Sequence, residues 1–166
     1  MAEALIITRD DVVKFTSLNG NVDPDKFIQY IKIAQDIHVQ KYLGTDLLEK
    51  IKADIIANTL GGNYLTLVNT YIKPMLIHWA MVEYLPYSAY TIGNKGVYKH
   101  SAEQSENIDR LELSLLIDKQ TQTANHYSSR FVDYMCFNQA LFPEYNSNSN
   151  GDIYPSSDTN FTNWVL

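Results

Sequence analysis

At 166 residues the chain is the size of one domain, long enough to bury a core without disulfide or metal staples. Its single cysteine, Cys136, excludes an intramolecular disulfide or a cysteine-based zinc site and fits a reducing compartment. A formal net charge of -6 argues against tight, phosphate-driven nucleic-acid binding, while leaving open a surface past which DNA slides. The first residues, MAEALIITRDD, have neither the basic region nor the apolar length of a secretory signal, so use without export is expected. Twelve tyrosines, each an apolar body with a polar tip, lean towards assembly.

Taken in order, Leu5-Ile6-Ile7 reads as a short extended lead-in, and Thr8 as the N-cap of a helix reaching about Ser17. Asp10 and Asp11 fall in its first turn, where negative charge suits the helix dipole better than it suggests a metal site. Asn19-Gly20-Asn21 breaks the chain, and Asp23-Pro24 restarts it with a capping carboxylate and a proline at the first helical position. Phe27, Ile28, Ile31, Ala34, Gln35, His38 and Tyr42 follow on one predicted face, closed by Gly44 as a left-handed C-cap. Thr45 is predicted to cap the next helix, whose apolar stripe is Leu47, Leu48, Ile51, Ile55 and Ile56; Gly61-Gly62 stops it and Asn63 caps the one after.

The run from Tyr64 to Tyr90 is the most apolar and aromatic of the chain. Leu65, Val68, Ile72, Met75, Leu76, Trp79, Val82 and Tyr84 recur at helical steps, which predicts the central helix of a bundle, ending near Tyr84 before Pro86. Lys73, His78 and Glu83 argue against a membrane span, and Pro74 predicts a kink or a helix start. His78 is expected to be a hydrogen-bonded core histidine. From Thr91 to Ser105 the glycines Gly93 and Gly96 around Asn94-Lys95 predict a projecting loop or short hairpin; the spacing is not that of a phosphate-binding loop.

Glu106 to about Gln139 reads as one long helix, on the order of 50 Å at 1.5 Å per residue, with a polar middle from Asp118 to Thr123. A helix of that length outruns a small core, so part of it must meet another subunit, solvent or a lumen. Cys136, between Met135 and Phe137, is expected in the core. The predicted architecture is all-α: a bundle over residues 1–141 with the 91–105 loop projecting, then an extended arm over 142–166. The Asn146–Gly151 run reads as a flexible connector, and Tyr154, Phe161, Trp164, Val165 and Leu166 as apolar anchors that dock on a neighbouring subunit or partner. Folding of the arm back onto its own helices is the competing expectation. No nucleophile triad, paired-histidine metal helix or glycine fingerprint is present, so neither cofactor nor catalysis is expected.

Four stretches go further: FIQYIKIAQDIHVQKYLGTDLLEKI, YIKPMLIHWAMVEYLPYSAY, NKGVYKHSAEQSE and RFVDYMCFNQALFPEY. Together they resemble the head-to-tail connector (adaptor, or ring) proteins of tailed bacteriophages, most of all those of crAss-like phages. The resemblance implies a virion protein, made in the bacterial cytoplasm, that forms a ring of roughly twelve copies with rotational symmetry. Such a ring sits at the portal-tail junction, touches the portal and further ring or tail proteins, and passes double-stranded DNA without reading its sequence. Gly93, Lys95, Gly96, Val97 and Tyr98 would then contact the next ring component, and Tyr154, Phe161, Trp164, Val165 and Leu166 the portal or a neighbour. The alternative is a small soluble helical regulatory or DNA-binding protein, which would need a basic recognition helix. The candidate helix after Gly44 balances Lys50 and Lys52 with Asp46, Glu49 and Asp54.

Overall fold

A computed structural model describes residues 3–88, 90–94, 96–99 and 109–158. The chain is an all-α bundle with a long C-terminal helix. Its helices are α1 (Arg9–Phe15), α2 (Pro24–Ala34), α3 (Gln40–Leu43), α4 (Thr45–Ala57), α5 (Gly62–Leu67), α6 (Lys73–Tyr84) and α7 (Arg110–Asn138). Between α6 and α7, β1 (Tyr90–Gly93) and β2 (Gly96–Lys99) pair antiparallel as the expected hairpin, with Tyr90 opposite Lys99 and Gly93 opposite Gly96.

The predicted caps of the first two helices are present. Thr8 and Asp11 form a reciprocal capping box on α1, and the Asp23 side chain accepts from the Asp25 N–H ahead of Pro24. α7 is capped by Asp109, in a second capping box with Glu112; the expected start at Glu106 lies outside the described residues.

Two predicted helices each contain a π turn, Gln35–Val39 after α2 and Val68–Ile72 before α6, the second at the point where Pro74 predicts a kink or a helix start. The second has a visible cause. Pro74 has no N–H to give the Thr70 carbonyl, and the Arg130 guanidinium reaches that oxygen instead, at 3.5 Å. The first π turn carries Gln35, which is fully buried. Its amide donates to the Ala4 carbonyl and accepts from the Ile6 N–H, both at 3.1 Å, and so ties the Leu5–Ile7 lead-in to the bundle.

α6 is the hub, packed against α7, α2 and α1. Met75, Leu76, Ile77, Trp79, Ala80 and Met81 are all buried, so the helix is apolar around most of its girth. The Trp79 indole stacks on His38 at 3.8 Å and donates to Ser128 Oγ at 2.9 Å. His78 is hydrogen-bonded as expected, accepting at Nδ1 from Gln120 at 2.6 Å and stacking on Tyr127. Burial lowers its basicity.

Several boundary and face assignments change. Gly61, not Asn63, precedes α5, and Asn58 in the left-handed conformation ends α4 before the glycine pair is reached. Gly44 rather than Thr45 is the N-cap of α4. Ile28, Ile56 and Leu65, assigned to apolar faces, are exposed. Cys136 is exposed too, because Phe131, Val132 and Met135 turn inward and leave its side of α7 to solvent.

Candidate interaction surfaces

For residues 142–158 of the C-terminal arm the structure follows the competing expectation, folding back onto the bundle, while the anchors Phe161, Trp164, Val165 and Leu166 lie outside the described residues. Residues 142–158 do not leave the bundle; they form a strap across α3 and α4. Phe142 is fully buried, edge-on to Tyr64 at 5.2 Å, and Tyr145 packs on Phe131. The Tyr64 hydroxyl donates to Glu144 Oε2 at 2.5 Å; burial and that carboxylate push the phenol up to about 12.

Beyond this the Asn/Ser run acts as a hydrogen-bonding tape. Asp46, in the first turn of α4, accepts from Ser147 Oγ (2.6 Å), from Ser149 N–H (2.8 Å) and Oγ (2.5 Å), and from Asn150 Nδ2 (3.1 Å). Those donors stabilise the carboxylate and hold its pKa down at about 2. Thr45 then donates its N–H to the Ile153 carbonyl at 2.9 Å and its hydroxyl to Asp152 at 2.9 Å. Ser156 N–H closes on the Lys41 carbonyl at 2.9 Å. The expectation of a flexible connector failed because it counted only apolar driving force. A buried carboxylate with no cation beside it among the described residues needs several donors, and a Ser/Asn tract supplies them.

This network makes the strap acid-sensitive. A carboxylate whose folded pKa is depressed contributes stability that is present above its unfolded value near 3.9. That stability is lost as pH falls towards about 2. Pepsin cleavage near Tyr154, normalised to an unstructured peptide, is therefore expected to accelerate from about pH 4 to pH 2. In Asp46→Asn it should be faster throughout and lose most of that pH dependence. A flat profile in the unsubstituted chain would show that Asp46 does not hold the strap.

Of the residues expected to make contacts, Tyr154 is exposed on the strap and Val97 on the hairpin. Gly93 and Gly96 close the hairpin, and Gly96 has φ +130, a conformation that favours glycine. Tyr98 lies in β2 opposite Thr91. Lys95, Phe161, Trp164, Val165 and Leu166 lie outside the described residues. The described ones among the expected contact residues thus fall on two separate elements, the hairpin and the strap.

Sequence reading missed the tyrosine cluster beside the hairpin. Tyr30 packs against Phe27, Tyr84 and Tyr87, and with Tyr84, Tyr87 and Tyr90 it lines a cleft of roughly 470 Å³. A second cleft of roughly 480 Å³ runs past Phe15, Pro74 and Tyr127, with Lys73 and Arg130 on its rim. Arg130 is already engaged there, stacked over Tyr71 at 4.9 Å. Among the described residues no group of His, Cys, Asp or Glu has the arrangement to hold a metal ion, and no helix is long and apolar enough to cross a membrane.

The fold and its surfaces define a small helical bundle that displays a β-hairpin and the outer face of a long helix. The chain belongs to a family of unknown function, DUF6712, whose model matches residues 39–155. That span runs from the first π turn, through the bundle and hairpin, to the Pro155 end of the strap. No curated protein and no solved structure matches the chain.

Proposed function

We propose that the chain is a structural virion protein: a subunit of a ring between portal and tail that couples head to tail and continues the DNA channel. The supporting observation is the hairpin, whose Val97 stands exposed outside the buried core. It follows α6 after a 3-10 turn at Leu85–Tyr87, and its strands pair only with each other among the described residues. An element of this kind offers apolar area to a further ring or tail protein without disturbing the bundle. The four sequence stretches quoted above add to it, since they include β2 of the hairpin and the Gly44 turn. Net negative charge suits a passage in which DNA must not stick.

The alternative, a regulatory or DNA-binding protein, would present α4 to the groove. Its cations are already paired, Lys50 with Asp54 at 2.6 Å and Lys52 with Glu49 at 2.9 Å, which disfavours phosphate contact. Replacing residues 91–105 by a short glycine-serine link is expected to leave the far-UV dichroism and melting of the bundle intact while blocking tail attachment. Infectious particles from that deletion, or electron microscopy of virions placing the chain away from the portal-tail axis, would overturn the reading.

A further inference from the structure

We propose that the outward face of α7 pairs antiparallel with the same face of a second copy of this chain, on a two-fold axis at His126. The face opposite the buried line of Ala124, Phe131 and Met135 is not uniformly polar. Phe137 is 90% exposed, Leu111 73% and Leu115 64%. Between them lie exposed Lys119, His126 and Asp133. Steps of four, four and three residues carry all six along one line, an eleven-residue period that stays nearly straight on a helix. Leu141, also exposed, sits on the short 3-10 turn after α7, past the end of that line.

The line is self-complementary in one direction only. Turned end to end about His126, Leu115 of one copy meets Phe137 of the other, because the two are equally spaced from position 126 on one helix. Lys119 meets Asp133 by the same spacing, twice across the axis, so both apolar contacts and both opposite charges coincide in a single register. A parallel pairing in register would set Lys119 against Lys119 and Asp133 against Asp133. The antiparallel one also opposes the two helix dipoles. Such an isologous contact closes after two copies and does not propagate round a ring. It therefore describes the free chain, and it stands independently of the connector reading.

Every position involved is exposed, so substitutions there spare the fold, which circular dichroism can verify. In a Cys136→Ser background, a short bis-maleimide is expected to link His126→Cys to itself as a dimer. It should link Leu115→Cys to Phe137→Cys when the two variants are mixed, and neither of these to itself. In sedimentation at low salt, Lys119→Glu should weaken the dimer about tenfold, and adding Asp133→Lys should restore it. A chain that stays monomeric up to about 1 mM, self-linking of Leu115→Cys, a ladder longer than dimer, or a charge swap no better than the single variant would each overturn the proposal.

Discussion

Trp79→Ala is expected to lower stability by about 3–5 kcal/mol, the usual cost of emptying a large aromatic site in a core. At about 2–4 °C per kcal/mol for a chain of this size, the melting temperature should fall by roughly 6–20 °C. Trp79 is 7% exposed, on the helix that touches α1, α2 and α7. Truncation would remove the surface on which His38 stacks and the indole N–H that Ser128 receives. Ser128 keeps its own donation to the Ala124 carbonyl at 2.9 Å, so the loss is mainly of packing. Trp79→Phe is expected to recover most of the loss, since it refills the space without the N–H. An unchanged melting temperature in Trp79→Ala would show that α6 does not organise the bundle.

Gly44→Ala is expected to act on two elements at once. Gly44 has φ +76 and ψ 162, a region where a side chain costs about 1–3 kcal/mol, and it must hold that geometry while serving as N-cap of α4. A Cβ there would also lie 2.6 Å from Pro155 Cδ and 3.1 Å from Pro155 N, so the strap has to lift. The variant should therefore melt lower and, in addition, be cleaved faster between Ser147 and Asp158 under native conditions. Combining it with Pro155→Gly relieves part of the clash but not the backbone strain, and should recover less than half of the lost melting temperature. Protection of the strap equal to that of the unsubstituted chain would mean that Gly44 and Pro155 are not in contact in solution.

The strap and the α7 face show where pattern reading stops. A helical period identifies which residues share a side, and on α6 this was enough, because neighbours cover that helix on almost every side. On α7 the same reading could not distinguish the inward side from the outward one. Both carry large apolar residues, and the register against α6 puts Phe131 and Met135 inside and Cys136 and Phe137 outside. The Asn146–Gly151 tract was legible as non-helical, but its partner, Asp46, is about a hundred residues away in the chain, and no local pattern couples them.

From its sequence alone the chain had to be helical, with its most apolar helix at the centre, caps at Thr8 and Asp23, and a chain reversal between Gly93 and Gly96. Capping, period and turn chemistry act over a few residues and are written locally. Only the tertiary structure decided that Gln35 clamps the first residues, that Arg130 answers the carbonyl left by Pro74, and that residues 142–158 lie back on Gly44 and Asp46. Each of these satisfies a polar group, or fits a backbone shape, that some other part of the fold creates. Such needs exist only once distant segments have met, so no window of sequence contains them.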